Sequence, residues 1–210
     1  VLHSTHLLGR NGSFVFGFSG VEIALWDLAG KSAGQPIWRL LGGCEKSTLP
    51  AYASLLCYTD PALVAENVKK SIAQGYKFIK LHEVTREATG VYWLEEPVWP
   101  PEDVDGLARV RQCCIPIAAG ENVAGVFGFK SLIKANAIDI AQPSVTKIGG
   151  IGETVQVIRM AQTHGIGVQL HCPYFGPGLI ASYHIAAALI ENPLIEILWI
   201  DMEANPFDPW

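Results

Sequence analysis

Seven short apolar runs recur along the chain, and they are nearly continuous rather than alternating with polar residues. Such runs are typical of strands that are buried on both faces of a parallel sheet. Longer segments with helical character lie between them, for example residues 153–163 and 179–189. The pattern predicts alternating strands and helices, as in an α/β fold. The seven runs are residues 49–55, 78–81, 91–94, 115–119, 137–141, 166–170 and 194–198.

The segment after the first strand carries both the start and the end signals of a helix. Asp60 precedes Pro61, which predicts an N-cap followed by proline in the first helical turn. Gly75 follows the segment, as a glycine does at many helix C-termini. We therefore expect a helix over residues 61–74.

The polar residues at the strand ends recur about every 25 residues, which is the length of one βα unit. Repeated units with polar strand ends predict a TIM-type barrel, whose active site lies at the carboxyl ends of the strands. One step departs from this interval, because Lys80 and Glu95 are only 15 residues apart. A strand–helix–strand crossover needs about 30 residues. We infer that residues 49–210 form the barrel and that about one βα unit is missing near residues 88–90.

Residues 1–48 do not follow the barrel repeat. Within them, residues 20–41 (GVEIALWDLAGKSAGQPIWRLL) predict an amphipathic helix, a break at Gly34, Gln35 and Pro36, and a second short helix. We interpret residues 1–48 as the remnant of an N-terminal region together with its linking helices. The first residues do not show the basic and apolar segments of a signal peptide.

Composition and charge narrow the classes of partner. The chain has 210 residues, of which 50% are hydrophobic, and a formal net charge of −5. It has no basic cluster of the kind that binds nucleic acid. No apolar run approaches the ~20 residues of a membrane span, and five cysteines without metal-type spacing suit a reducing cytoplasm. We expect a cytoplasmic homo-oligomer that binds a small molecule and neither nucleic acid nor a membrane.

Charged side chains follow several of the predicted strands. Carboxylates from successive strands that meet at one barrel mouth suit Mg²⁺, which prefers oxygen ligands. Bases on opposite sides of such a cation can remove a proton beside a bound carboxylate and deliver one elsewhere. Taken singly, each residue also fits an ordinary role in a loop, on the surface or in a structural hydrogen bond. Because they recur together at the predicted strands, a catalytic or metal-binding role is favoured for the set. The residues are Lys80, His82, Glu95, Glu96, Glu121, His171 and Glu196.

A glycine-rich motif precedes one of the predicted helices. Gly149, Gly150, Ile151 and Gly152 would hold a phosphate on helix N–H groups or form a tight turn. We favour the tight turn, because it is the commoner meaning of such a motif.

Six motifs resemble the enolase superfamily, specifically its mandelate racemase-like branch with the muconate cycloisomerase relatives. They extend from Gly20 to the C-terminus and cover most of the chain. The resemblance implies an N-terminal α+β capping domain, here mostly absent, over a (β/α)₇β barrel. It also implies an essential Mg²⁺ and abstraction of the proton α to a carboxylate. The motifs are VEIALWDLAGKSAGQPIWRLLGG, GYKFIKLHE, YWLEEPVWPPED, PIAAGEN, QPSVTKIGGIGET and LHCPYFGPG.

The resemblance also implies a role for each matching residue. Glu95 and Glu121 correspond to metal ligands, and Lys80 to the residue that contacts the substrate carboxylate. His82 takes the place of the usual lysine base, and His171 is the base or acid on the opposite face. The family's third ligand, an aspartate, has no counterpart and belongs to the unit that we infer is missing. On the last strand, Glu196 matches a glutamate that, when protonated, donates a hydrogen bond to the enolate.

One departure from the family pattern bears on the reaction. Ser144 stands where the family has an aspartate that raises the basicity of the histidine, so we expect His171 to be a weaker base or to act mainly as an acid. Cycloisomerase and dipeptide-epimerase relatives need a lysine at this position, and Ser144 argues against both. The best fit is a Mg²⁺-dependent lyase that dehydrates a sugar acid to a 2-keto-3-deoxy acid. The alternatives are a racemase or epimerase of a 2-hydroxy acid and a catalytically inactive binding homologue.

Overall fold

Strands and helices alternate along most of residues 51–198, as the apolar pattern predicts. The computed structural model describes residues 12–43, 46, 48–58, 60–82, 90–172 and 175–200. Each predicted apolar run overlaps one strand, although the strands are shorter than the runs. The elements are α1 (Ser13–Ala33), α2 (Ile37–Leu40), β1 (Ala51–Ser54), α3 (Pro61–Ala73), β2 (Ile79–Lys80), β3 (Leu94–Glu95), α4 (Val104–Val110), β4 (Ile117–Ala119), α5 (Gly125–Lys134), β5 (Ile140–Ala141), α6 (Ile151–Thr163), β6 (Gly167–Val168), α7 (Gly176–Leu189) and β7 (Ile195–Leu198).

The local signals around α3 are confirmed in detail. The Asp60 side chain accepts a hydrogen bond from the backbone N–H of Ala62 at 2.8 Å, and Pro61 occupies the first turn. At the other end, Gly75 has φ +96°, a conformation that favours glycine because it has no Cβ. The helix begins and ends where these residues predict.

The strands form two parallel sheets. One has the order β2-β1-β7 and the other β3-β4-β5-β6, and a bridge between Ser144 and His171 follows β5 and β6. The predicted α/β class with parallel strands is confirmed. Backbone pairing between the described strands does not close a barrel, because consecutive strands β2 and β3 lie in different sheets.

Side chains rather than backbone hydrogen bonds connect β2 to β3 in the described part of the chain. The rings of Phe78 and Tyr92, which precede the two strands, meet edge to face at 5.4 Å. Trp93 continues this contact to Tyr52 of β1, with ring centroids 6.0 Å apart. The predicted loss of a βα unit between these strands falls largely on residues outside the described ranges and stays a prediction.

Helix α1 is fixed to the N-terminus of α6 by polar contacts. The Glu22 carboxylate accepts hydrogen bonds from the N–H groups of Ile151 at 2.6 Å and Gly152 at 2.9 Å. The Ser19 hydroxyl accepts one from the N–H of Gly149 at 2.9 Å. The glycine-rich motif is therefore a turn whose helix N–H groups already bind a carboxylate, and the phosphate interpretation is not needed.

The outer face of α1 is apolar as well. Val21, Leu25 and Leu28 form a stripe at helical spacing, and each is 59% exposed. With both faces apolar, α1 is long and apolar enough by length and composition to cross a membrane, whereas we expected no such segment. The helix nevertheless packs on α6 and α7, and Val15 and Ile23 on its inner face are buried, which is how a helix of a globular protein packs.

The main hydrophobic core supports the second sheet. Fully buried side chains from β4, α5, α6 and α7 meet there. The ring of Phe129 lies so close to Gly120, which follows β4 with φ +129°, that any Cβ at this position would overlap the ring. This packing fixes the carboxyl ends of β4 and β5, where several candidate residues begin. The core residues include Ile117, Phe129, Leu132, Ile158 and Ile185.

Candidate active site

A lysine and two glutamates from strands of the two sheets form a buried charged triad. Lys80 at the end of β2 donates to Glu95 Oε1 of β3 at 2.5 Å and to Glu196 Oε1 of β7 at 3.2 Å. The Lys80 and Glu95 side chains are 14% and 13% exposed, and that of Glu196 only 1%. Burial alone would lower the pKa of the Lys80 ammonium, but Glu196 and Glu95 together raise it. The ammonium therefore stays protonated.

The second oxygen of Glu95 is held from the other side. The Gln142 side-chain amide, just after β5, donates to Glu95 Oε2 at 2.8 Å, and the indole of Trp93 approaches the same oxygen at 3.5 Å. Gln142 is 1% exposed. The carboxylate of Glu95 thus lies between residues of three strand ends and has a fixed orientation.

A second group of charges surrounds Glu121 after β4. Lys147 donates to Glu121 Oε1 at 3.1 Å, and His171 Nε2 lies 3.5 Å from Glu121 Oε2. Asn122 accepts from Lys147 at 3.1 Å through its amide oxygen. Burial would raise the pKa of the Glu121 carboxyl, but His171 and Lys147 lower it below its usual value. Glu121 is therefore ionised between two basic side chains.

The two groups are neighbours in one charged mouth. The charge of Lys80 in the first group helps to lower the pKa of Glu121 in the second. The charge of Glu196 works against the lowering of the His171 pKa by burial. Glu96 lies near both Glu95 and Glu121, and burial followed by the charge of Glu121 raises its pKa. The predicted convergence of strand-end side chains on one mouth is thus observed for Lys80, Glu95, Glu121, His171 and Glu196.

His171 is a buried histidine, with only 3% of its surface exposed. Burial lowers its pKa, and the nearby Glu121 and Glu196 offset only part of that effect. The hydroxyl of Ser144, on the adjacent strand end, lies 3.4 Å from the Thr146 hydroxyl. A lowered pKa agrees with the expectation of a weaker base, and it leaves the imidazole neutral near pH 7.

His82 is placed differently from the other candidates. β2 ends at Lys80, so the alternation of side chains that would put His82 beside Lys80 stops before it. His82 is exposed, and no hydrogen bond or ion pair joins it to another described residue. The structure does not bring it into the charged mouth.

Both oxygens of Glu196 accept hydrogen bonds in this arrangement. Oε1 accepts from Lys80, and Oε2 accepts from the backbone N–H of Cys172 at 3.3 Å. The neighbouring Cys172 thiol is buried, and burial with the Glu196 charge raises its pKa to about 12. Glu196 thus acts here as an acceptor, whereas the resemblance implies a protonated donor.

Gln142 and Lys147 are not among the candidate residues predicted from the sequence. Gln142 is the first polar residue after the fifth apolar run, so the strand-end rule applied to the other candidates would have found it. Lys147 lies three residues beyond Ser144 in a loop, and only the fold brings it to Glu121.

The donor set at the mouth matches Mg²⁺ in chemistry. The carboxylates of Glu95, Glu96 and Glu121 follow two adjacent strands, and the Asn122 amide lies 3.5 Å from Glu96 and 3.3 Å from Glu121. Burial, followed by the charge of Glu121, raises the pKa of Glu96, and a bound cation would relieve the repulsion among these carboxylates. Among the described residues no three His, Cys, Asp or Glu side chains are grouped closely enough to form a complete metal centre. Oxygen donors of the kind that Mg²⁺ prefers are therefore present at the mouth, but the described residues do not form a metal site.

Two family models match the chain. The model described as "Enolase C-terminal domain-like" matches residues 72–206. The model described as "Mandelate racemase / muconate lactonizing enzyme, N-terminal domain" matches residues 7–42. The first covers more than half of the chain.

Two curated relatives are similar over nearly the whole chain. A D-galactarolactone cycloisomerase of Agrobacterium fabrum is 29% identical over 95% of this chain and 66% of its own length. An arabinonate dehydratase of Saccharolobus solfataricus is 29% identical over 92% of this chain and 64% of its own. The chain thus spans slightly less than two thirds of the length of these relatives. The cycloisomerase alignment runs over 250 residues, so at least about 40 of its positions hold no residue of this 210-residue chain.

A solved structure shares the fold. A mandelate racemase/muconate lactonizing protein from Paracoccus denitrificans PD1222, complexed with magnesium, superposes with a TM-score of 0.81 at 25% identity. The match covers 92% of this chain and 67% of that one.

Proposed function

This chain belongs to the enolase superfamily, in its mandelate racemase/muconate lactonizing enzyme branch, and on that premise we propose that it carries the barrel of a sugar-acid dehydratase. The proposed reaction removes the proton α to the substrate carboxylate and releases the β-hydroxyl as water. Tautomerisation of the resulting enol gives a 2-keto-3-deoxy acid. The observation that carries the proposal is the charged mouth, where Lys80 and His171 lie near the carboxylates of Glu95 and Glu121.

Glu95 and Glu121 are the residues that would hold Mg²⁺, as oxygen ligands from adjacent strand ends. When bound, the cation would neutralise the negative charge that develops on the substrate carboxylate as its α-proton leaves. The similarity to a structure complexed with magnesium supports this assignment. A third ligand would come from the βα unit that we infer is missing. The alignment with the cycloisomerase has more positions than this chain has residues, and this difference supports the inference.

Lys80 and His171 have complementary roles in the proposal. The Lys80 ammonium, kept protonated by two glutamates, would bind the substrate carboxylate. The neutral imidazole of His171 would accept a proton or return one to the departing hydroxyl. Glu196 would hold Lys80 in place from the last strand. We assign His82 as the second base on the opposite face, although it is exposed and outside the charged mouth.

Exchange of the α-proton with solvent tests the proposal directly. Arabinonate and other sugar acids would be incubated in D₂O with and without Mg²⁺ and followed by ¹H NMR. We expect loss of the α-proton signal and a 2-keto-3-deoxy product with deuterium at its new C3 methylene only with Mg²⁺. His171→Asn should abolish both, whereas His164→Asn should retain them, because His164 is an exposed residue that bonds the Met160 carbonyl at 2.8 Å. The same measurement on His82→Asn shows whether the reaction needs His82 as the second base.

Three outcomes separate the alternatives. Exchange without a keto acid would favour a racemase or epimerase. Binding of Mg²⁺ and of a sugar acid without exchange would favour an inactive homologue. Absence of both exchange and product across a broad panel of sugar acids with Mg²⁺ would refute dehydration by this chain.

A cycloisomerase is the second candidate, because one relative is a D-galactarolactone cycloisomerase. Ser144 argued against this class, because cycloisomerase relatives need a lysine at that position. Lys147, however, brings an ammonium to Glu121 and the mouth. Consumption of a galactarolactone with no water released would favour it, and loss of that activity in Lys147→Met would assign the lysine.

A further inference from the structure

Gln142 occupies a position in the mouth that the proposed reaction does not yet use. Its side chain is 1% exposed and reaches from the end of β5 across β4 to Glu95 on β3. A long polar side chain that is fully buried normally has all its polar atoms in hydrogen bonds. Among the described residues, only one end of the Gln142 side-chain amide has a hydrogen-bond partner.

The orientation of the Gln142 amide follows from its neighbour. An ionised carboxylate only accepts hydrogen bonds, so the NH₂ group must be the end that faces Glu95 Oε2, at 2.8 Å. The carbonyl oxygen Oε1 then faces away from Glu95. It is buried and has no hydrogen-bond partner in the part of the chain that the structure describes. Its missing partner must be a donor, since a carbonyl oxygen only accepts.

Glu95 is also fixed on its other oxygen, where Lys80 donates at 2.5 Å. Gln142 and Lys80 together determine the plane of the Glu95 carboxylate, one at each oxygen. The unpartnered carbonyl oxygen of Gln142 is therefore held in a fixed place next to Glu95. Among the groups of a sugar acid, the hydroxyls supply the neutral donors that this carbonyl lacks.

We propose that Gln142 is a positioning and specificity residue whose amide nitrogen orients Glu95 and whose amide oxygen accepts a hydrogen bond from a hydroxyl of the bound acid. This inference rests on the proposed function for the class of ligand, a polyhydroxylated carboxylate. It adds a residue that distinguishes such an acid from one that has the same carboxylate and no hydroxyls. A site built around a substrate hydroxyl rejects the analogue that lacks it, because the buried acceptor then stays unpaired.

Binding of two acids to the whole chain tests the inference. Arabinonate and pentanoate share a carboxylate and a five-carbon skeleton, and only the first carries hydroxyls. Calorimetric titrations with Mg²⁺ present should show that Gln142→Met weakens arabinonate binding about tenfold and leaves pentanoate binding unchanged. Gln112→Met, at an exposed position, is the matched control and should change neither affinity. Circular dichroism would establish that both variants are folded.

A spectroscopic measurement on the wild-type protein is independent of any variant. The side-chain NH₂ signals of Gln142, connected to its backbone by triple-resonance NMR, should shift on addition of arabinonate and not of pentanoate. Equal weakening of both acids in Gln142→Met, unchanged affinities, or a wild-type protein that binds neither acid would each overturn the inference. If arabinonate binds and shifts the Gln142 signals but loses no α-proton and forms no keto acid, dehydration fails and the role of Gln142 stands.

Discussion

Replacement of Lys80 by methionine gives the clearest energetic test of the charged mouth. The change keeps the length and apolar stem of the side chain and removes the ammonium that contacts Glu95 at 2.5 Å and Glu196 at 3.2 Å. Two largely buried carboxylates then lie together without their cation. Breaking a buried ion pair by removing one partner costs about 3–5 kcal/mol. Because Lys80 and Glu95 retain some solvent contact, we expect the free energy of unfolding to fall by about 3 kcal/mol at pH 8.

The loss of stability caused by Lys80→Met should be larger at high pH than at low pH. Without Lys80, burial and mutual repulsion disfavour the charged forms of two neighbouring carboxylates in the folded state, and the unfolded chain has neither penalty. Groups with a raised pKa in the folded state destabilise it at high pH, and this penalty disappears as the pH falls below the unfolded value. The difference between variant and wild type should therefore shrink to less than about 1 kcal/mol near pH 4.

Urea unfolding followed by circular dichroism at pH 8 and pH 4 measures both quantities. Lys31→Met is the matched control, because Lys31 forms an ion pair with Asp27 at 2.7 Å with side chains that are 75% and 54% exposed. Exposed pairs of this kind contribute about 0–1 kcal/mol. A Lys80→Met cost below about 1 kcal/mol at pH 8, or the same cost at both pH values, would refute the buried triad.

Three further predictions concern the helix junction and the metal ligands. Glu22→Ala should lower the free energy of unfolding by about 2 kcal/mol, since two N–H groups of α6 lose their acceptor; an unchanged urea midpoint would contradict this. Gly150→Ala should cost more than Gly165→Ala in the same assay, because both have positive φ but only at Gly150 would a Cβ overlap the Glu22 carboxylate; equal costs would show that backbone strain alone matters. Glu121→Gln should weaken Mg²⁺ binding at least tenfold in calorimetry, and an unaltered affinity would remove Glu121 from the ligand set.

Much of this protein was determined by its local sequence. The alternation of apolar runs and helical segments, the Asp60–Pro61 helix start and the turn at Gly149 and Gly150 depend on backbone preferences within a few residues. The strand-end positions of Lys80, Glu95, Glu121 and His171 follow from the same alternation, because parallel strands carry their carboxyl ends to one side of the sheet. The motifs at those positions also indicated the family, which the two matching models confirm.

Contacts between distant parts of the chain were decided only by the tertiary structure. Which oxygen of Glu95 meets Lys80 and which meets Gln142 depends on three strands that are 15 to 62 residues apart in sequence. The binding of Glu22 to the N-terminus of α6 joins residues about 130 apart. Spacing places a side chain at the end of a strand, but its partner, burial and charge state depend on which other chain segments pack against it. That information is absent from any short stretch of sequence, because hydrogen bonds and desolvation act through space rather than along the chain.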